Sequence, residues 1–240
     1  MKNKMKKFFL SLIAVVLLTT ITFAQNVPSN SFAQSPKLLD RLEIDKLFPE
    51  SVLKNLALEF PVYKVYKFSD ITGSYYCILS ESREEVNSSN DTFNYKIKAV
   101  TLKLENELFT KIWEINDQII RNKEESSIWF WTIYIDFKDY DKDGILETVI
   151  VYGTNGLNGY DDGRIKFIIY NKGQKVAIRH QNGLLDGERS TQIDQGFYSL
   201  PLQLQNSIKE KMKLMEQNNN AVFTGGWELA MKNKKLIIKD

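Results

Sequence analysis

Four strand-like segments in the second half of the chain, each ended by a turn, limit the fold more than any other feature. Residues 128–137, 146–153, 164–170 and 174–180 are rich in β-branched and aromatic side chains. The connections are an aspartate-rich turn, a Gly/Asn/Asp loop over residues 154–163, and the tight turn Asn171-Lys172-Gly173. Short runs of this kind, broken by turn residues, predict an antiparallel sheet that runs up and down. Within the first segment, Trp129, Trp131, Ile133, Ile135 and Phe137 share one face and read as a core stripe.

The first half continues the pattern. Residues 62–68, 73–79, 95–105 and 108–115 read as strands, and the polar run 81–92 as an exposed loop. The alternation in residues 95–105 flips phase at Ala99-Val100, which predicts a bulge there. Two helices are expected. One covers residues 51–60 between Pro49 and Pro61, and the other covers residues 200–217, with Leu204, Ile208, Met212 and Met215 as its apolar stripe. Residues 227–231 and 235–238 close the chain. The expected class is α+β: a mostly antiparallel β-sheet (meander) packed by one N-terminal and one C-terminal helix, in a single domain over residues 37–240.

The start of the chain has the form of a signal peptide. Lys2, Lys4, Lys6 and Lys7 precede an apolar stretch, and Thr22-Phe23-Ala24 is a small-x-Ala cleavage site. Residues 25–36, rich in Ser, Asn, Gln and Pro, read as a flexible leader. Removing 24 of the 240 residues leaves 216, and losing four lysines takes the formal charge from +2 to −2. The mature chain then has no electrostatic reason to bind nucleic acid, and no transmembrane span is expected after cleavage. The expected location is the periplasm or the cell surface. Cys77 is the single cysteine, so no internal disulfide forms, and its apolar neighbours mark it as a core thiol.

The aspartate-rich turn reads Asp139-Tyr140-Asp141-Lys142-Asp143-Gly144-Ile145-Leu146-Glu147. Alternate carboxylates point oxygens around a hard cation, and the glycine permits the sharp bend. Asp139, Asp141, Asp143 and Glu147 are the candidate ligands, and Ca²⁺ is the candidate ion; no organic cofactor is expected. Strand follows the loop, and its twelfth position is Ile150 in place of a bidentate glutamate. An acidic turn that uses Asp only for local backbone hydrogen bonds is the competing reading.

In an up-and-down sheet, alternate connections fall at opposite ends. The acidic turn and Asn171-Lys172-Gly173 therefore share one end, and the 154–163 loop and the segment His180-Gln181-Asn182-Gly183 share the other. This second end carries the ligand-binding candidates Asn155, Asn158, Tyr160, Arg164, Arg179, Gln181 and Asn182. It also carries the sole histidine, His180, which with Asp161 or Asp162 forms a candidate acid/base pair. A hydrogen-bonded structural histidine is the competing reading. No nucleophile elbow, zinc-helix motif, phosphate loop or dinucleotide fingerprint occurs in the sequence.

The Asp-x-Asp-x-Asp-Gly turn, the loop Asn158-Gly159-Tyr160-Asp161-Asp162-Gly163-Arg164, and Ile178-Arg179-His180-Gln181-Asn182-Gly183 together resemble a family. So do Glu188-Arg189, Ile193-Asp194 and Phe197-Tyr198-x-Leu200-Pro201. The C-terminal half is similar to small exported proteins of Bacteroidota and other Gram-negative bacteria labelled surface polysaccharide biosynthesis protein. The resemblance implies a link to the cell envelope and to surface carbohydrate, and carries no reaction or catalytic residue. The expectation is an exported accessory or binding protein, with carbohydrate or an envelope protein as partner. An envelope hydrolase or transferase using His180, and a structural interaction module without a small-molecule ligand, are the alternatives.

Overall fold

The computed structural model describes residues 34–120, 125–156 and 158–239, all within one unit, Ser31–Asp240. Residues 1–24, read as a signal peptide, and residues 25–33, read as part of the leader, lie outside the described residues. Gln34, Ser35 and Pro36, expected in that leader, belong instead to the first strand.

The chain opens with β1 (Gln34–Leu38) and two short helices, α1 (Arg41–Leu47) and α2 (Glu50–Asn55). Next come β2 (Val62–Asp70) and β3 (Gly73–Glu81), a small ribbon of β4 (Glu85–Val86) and β5 (Thr92–Phe93), then β6 (Lys96–Glu105) and β7 (Leu108–Gln118). The first sheet has the order β1-β2-β3-β6-β7, antiparallel throughout. The second half supplies β8 (Ser127–Phe130), β9 (Asp136–Lys138), β10 (Glu147–Asn155), β11 (Arg164–Asn171), β12 (Gln174–Gln181) and β13 (Ser190–Ile193). Helices α3 (Leu202–Gln217) and α4 (Trp227–Lys232) and strand β14 (Ile237–Lys239) follow. The second sheet has the order β14-β13-β12-β11-β10, with β8 and β9 both paired to β10.

Three apolar clusters define four layers. Between the sheets, Phe68, Cys77, Leu79, Ile97, Ala99 and Ile115 meet Ile150, Tyr152, Ile168, Tyr170 and Ala177. The outer face of the first sheet, with Val65, Ile78, Val100 and Leu102, packs on Ile44 of α1 and on Phe48 and Leu58 beside α2. The outer face of the second sheet, with Val149, Val151, Phe167 and Ile169, packs on Leu204, Ile208, Met212 and Met215 of α3 and on Trp227 and Met231 of α4. The α3 stripe thus lies as its spacing requires.

Several expectations change. Two sheets stand face to face where one was expected, and two helices lie on each outer side where one was expected. Helix α1 went unread although Asp40 and Glu43 form a capping box, the Asp40 carboxylate accepting from Glu43 N at 2.8 Å and Glu43 accepting from Asp40 N at 3.1 Å. No bulge occurs at Ala99-Val100, because Leu79 and Ile78 pair with them in regular register. The phase flips because β6 is covered on both faces, with Ala99 in the intersheet core and Val100 in the outer one. The irregularity lies in β7, where Thr101 pairs with Trp113 and Leu102 with Lys111, so Ile112 is skipped. The 128–137 strand breaks into β8 and β9. Trp129 and Trp131 lie on the α3 side, but Ile133 is 72% exposed and Phe137 turns into the intersheet core.

Candidate metal centre

β9 and β10 pair with Lys138 opposite Glu147, so residues 139–146 form the hairpin connection. Its aspartates fold the backbone around themselves. Asp139 accepts from Asp143 N at 3.1 Å and from Gly144 N at 2.9 Å, and Asp143 accepts from Ile145 N at 2.9 Å. The bend puts Gly144 at φ +89°, a region that glycine enters at little steric cost. The turn is docked on the β2–β3 turn of the other sheet: Ile71 N donates to Gly144 O at 3.0 Å, and Leu146 N donates to Asp70 Oδ2 at 3.1 Å.

Glu147 begins β10 and is 0% exposed. Its Oε2 accepts from Tyr140 N at 2.8 Å, and its Oε1 has no hydrogen-bond partner. One oxygen each from Asp139, Asp141 and Glu147 lie within 4.8 Å of one another, so this cluster can hold a metal ion. The spacing suits one ion, since two oxygens each about 2.4 Å from a Ca²⁺ stand at most about 4.8 Å apart. Burial, with Asp141, Asp143 and Asp139 nearby, pushes the Glu147 carboxyl up to about 7 against the pull of the Tyr140 N–H. Asp143 takes a different role. It pairs with the Lys172 ammonium, which holds its carboxyl below the usual range, and Lys172 also reaches Asp141 Oδ2 at 3.4 Å. The acidic turn and the Asn171-Gly173 turn therefore share one end of the sheet, as the alternation of connections requires.

The glycine-rich crest forms the opposite end. Gln181 Nε2 donates to Asp162 O at 2.9 Å, and Asn182 N donates to Gly163 O at 2.9 Å, so the two predicted segments meet. Their polar groups are largely turned to one another. His180 is 2% exposed. Its Nε2 lies 2.8 Å from Asn182 Oδ1 and 3.1 Å from Val222 O, two acceptors that place the proton on that nitrogen. Nδ1 is then left to accept from the Thr191 hydroxyl at 2.9 Å. Burial pulls the imidazole down to about 4, so it stays neutral. Neither Asp161 nor Asp162 is among these ring partners; Asp162 Oδ2 accepts from Asn158 N and Nδ2.

Arg164 is committed as well. Its Nε donates to Glu125 Oε1 at 2.5 Å, Nη2 to Gln118 O at 2.6 Å, and Nη1 lies 3.3 Å from Asp117 Oδ2, which also holds Lys166 at 2.6 Å. Arg179 pairs with Asp194 at 2.7 Å. Arg164, Arg179 and Gln181 do line one shallow recess of about 230 Å³. The Arg164 network joins β7 of one sheet to β11 of the other. Its partners are 39 to 47 residues away, so no local motif announces it.

A larger cleft, about 350 Å³, opens between the sheets beside the acidic turn, lined by Phe68, Asp70, Trp113, Leu146, Tyr170 and Lys172. Trp113 and Tyr170 stack within it with centroids 4.1 Å apart. Sequence reasoning missed it because it needs both sheets. No helix among the described residues is long and apolar enough to cross a membrane. The chain matches no protein-family model, no curated protein and no solved structure.

Proposed function

We propose that this is an exported, non-catalytic accessory or binding protein of the cell envelope, linked to surface polysaccharide, whose acidic turn holds Ca²⁺. The observation that carries the ion is Glu147: a fully buried carboxyl with one oxygen unpartnered, facing Asp139 and Asp141. An acidic turn that serves only local backbone hydrogen bonds and solubility accounts for Asp139 and Asp143, which accept from backbone N–H groups of the turn. It does not account for burying Glu147 with one oxygen unpartnered, at a cost of about 1–3 kcal/mol. The candidate ligand atoms are all oxygens, which suits a hard cation such as Ca²⁺. The ion's place in the fold is structural. It fixes a turn that is hydrogen-bonded to the other sheet, and so holds one wall of the aromatic cleft. The envelope and carbohydrate parts of the reading rest on the signal-like start and on the resemblance of the C-terminal half.

Two measurements test it. Extracellular modules hold Ca²⁺ with Kd of about 10⁻⁴ to 10⁻³ M, so millimolar Ca²⁺ raises the melting temperature, and Asp141→Asn removes the rise. An unchanged melting curve removes the ion from the reading. A glycan screen of the mature chain with Ca²⁺ present returns a binder that EDTA weakens; a blank screen removes the carbohydrate.

A further inference from the structure

The acidic turn by itself leaves the coordination incomplete, because its twelfth position is Ile150 and Asp143 is held by Lys172. The next hairpin supplies a candidate. β10 and β11 pair with Thr148 opposite Tyr170, and that register carried one step outward sets Glu147, the first residue of β10, across from Asn171, the last residue of β11. Side chains directly opposite in an antiparallel pair lie on one face, with Cβ atoms about 5 Å apart. That face is the α3 side, since Val149 and Ile169, two residues inward on each strand, both pack there. Asn171 Oδ1 is buried and, like Glu147 Oε1, has no hydrogen-bond partner. Two neighbouring strands thus end in two buried oxygens on one face, and neither has a hydrogen-bond partner. A cation between them satisfies both, and an amide oxygen adds a ligand without adding charge.

We propose that Asn171 Oδ1 is a ligand of the same cation, so that one ion ties the β9–β10 hairpin to the β11–β12 hairpin. Lys172 then acts as the internal counter-ion that the cation displaces from Asp141. This rests on the Ca²⁺ reading of the turn and extends it from a loop site to a bridge between hairpins. It also explains why the neighbouring residue is a lysine: without the ion, its ammonium offsets carboxylates that otherwise repel one another.

Calorimetric titration of the full mature chain with CaCl₂ tests the bridge, on wild type, Asn171→Ala, Asn171→Asp and Lys172→Met. Wild type binds one ion. Asn171→Ala weakens binding about tenfold or more, Asn171→Asp restores it, and Lys172→Met tightens it. Melting in EDTA confirms that each variant folds; if Asn171→Ala does not, the Asn171→Asp and Lys172→Met affinities carry the test. Wild-type binding with an unchanged affinity in Asn171→Ala, or with neither of the other two variants at or above wild-type affinity, overturns the bridge and leaves the turn site standing. No binding by wild type overturns both.

Discussion

The two ends of the second sheet use the same residue types to opposite effect. At the crest, Glu125 and Asp117 face Arg164 and Lys166, and His180 is enclosed by Asn182, Thr191 and Val222 O. Two oxygens there, Asn155 Oδ1 and Asp162 Oδ1, lack partners, but among the described residues the one group of carboxylates close enough to hold a metal ion lies at the acidic turn. At the acidic turn, Lys172 pairs with Asp141 and Asp143, and among the described residues no ion pair reaches Asp139 or Glu147. Polar residues in a connecting loop therefore say little by themselves. A site is the place where charges and hydrogen bonds fail to balance, and by that measure the acidic turn is the open end.

The largest expected effect tests the closed end. Arg164 and Glu125 have side chains only 11% and 4% exposed, so Arg164→Met leaves a buried carboxylate unpaired. Loss of one partner of such a pair costs about 3–5 kcal/mol by urea denaturation, and adding Glu125→Gln recovers part of it. A loss under about 1 kcal/mol means that the crest is wet and its pairs are screened.

Next in size is the pH dependence of His180. Its folded value is near 4 and its ordinary value 6.5, so the unfolded chain binds the extra proton first. The stability contributed by the neutral ring is fully present above about pH 6.5 and is lost as the pH falls towards 4, by about 3 kcal/mol in all. Denaturation at several pH values, with His180→Gln as reference, isolates this slope. Identical slopes in the two chains show that the ring titrates normally and that the crest is open.

How much of this contrast is legible in the sequence follows from its range. β10, β11 and β12 were readable nearly to the residue, because apolar runs between Gly, Asn and Asp turns are local signals. That reading also placed Lys172 beside the acidic turn and His180 beside the glycine loop. The division of the strands into two stacked sheets was not legible. β6 reads as a phase error until layers on both faces are known, and the Arg164 network depends on partners far away in the chain. Glu147 was visible as a carboxylate, but its burial depends on its register with Lys138 and on the cover from Tyr140. Asn171 read only as a turn residue, since its unpartnered oxygen matters through its position opposite Glu147.

Saturating Ca²⁺ at about 100 times Kd adds about 2.7 kcal/mol to wild type, an effect that acts at the open end alone. Arg164→Met should keep that increment, whereas Asp139→Asn should lose most of it. A loss in both chains merges the two ends into one cooperative site.

The smallest effects come from two glycines with positive φ. Gly159 at the crest has φ +70° and nothing within 4 Å of an added Cβ, so Gly159→Ala carries only the intrinsic left-handed cost, about 1 kcal/mol. Gly144 has φ +89°, and a Cβ there lies 2.9 Å from Ile71 Cγ2, at the contact where the acidic turn meets the other sheet. Gly144→Ala therefore carries the same intrinsic cost and also pushes Ile71 away, for about twice the loss. It also reduces the Ca²⁺ increment, because the turn can no longer seat on the β2–β3 turn while its aspartates converge. Gly159→Ala leaves that increment unchanged. Equal losses, with equal Ca²⁺ responses, would mean that the docking of the acidic turn on the first sheet contributes nothing to the ion's hold.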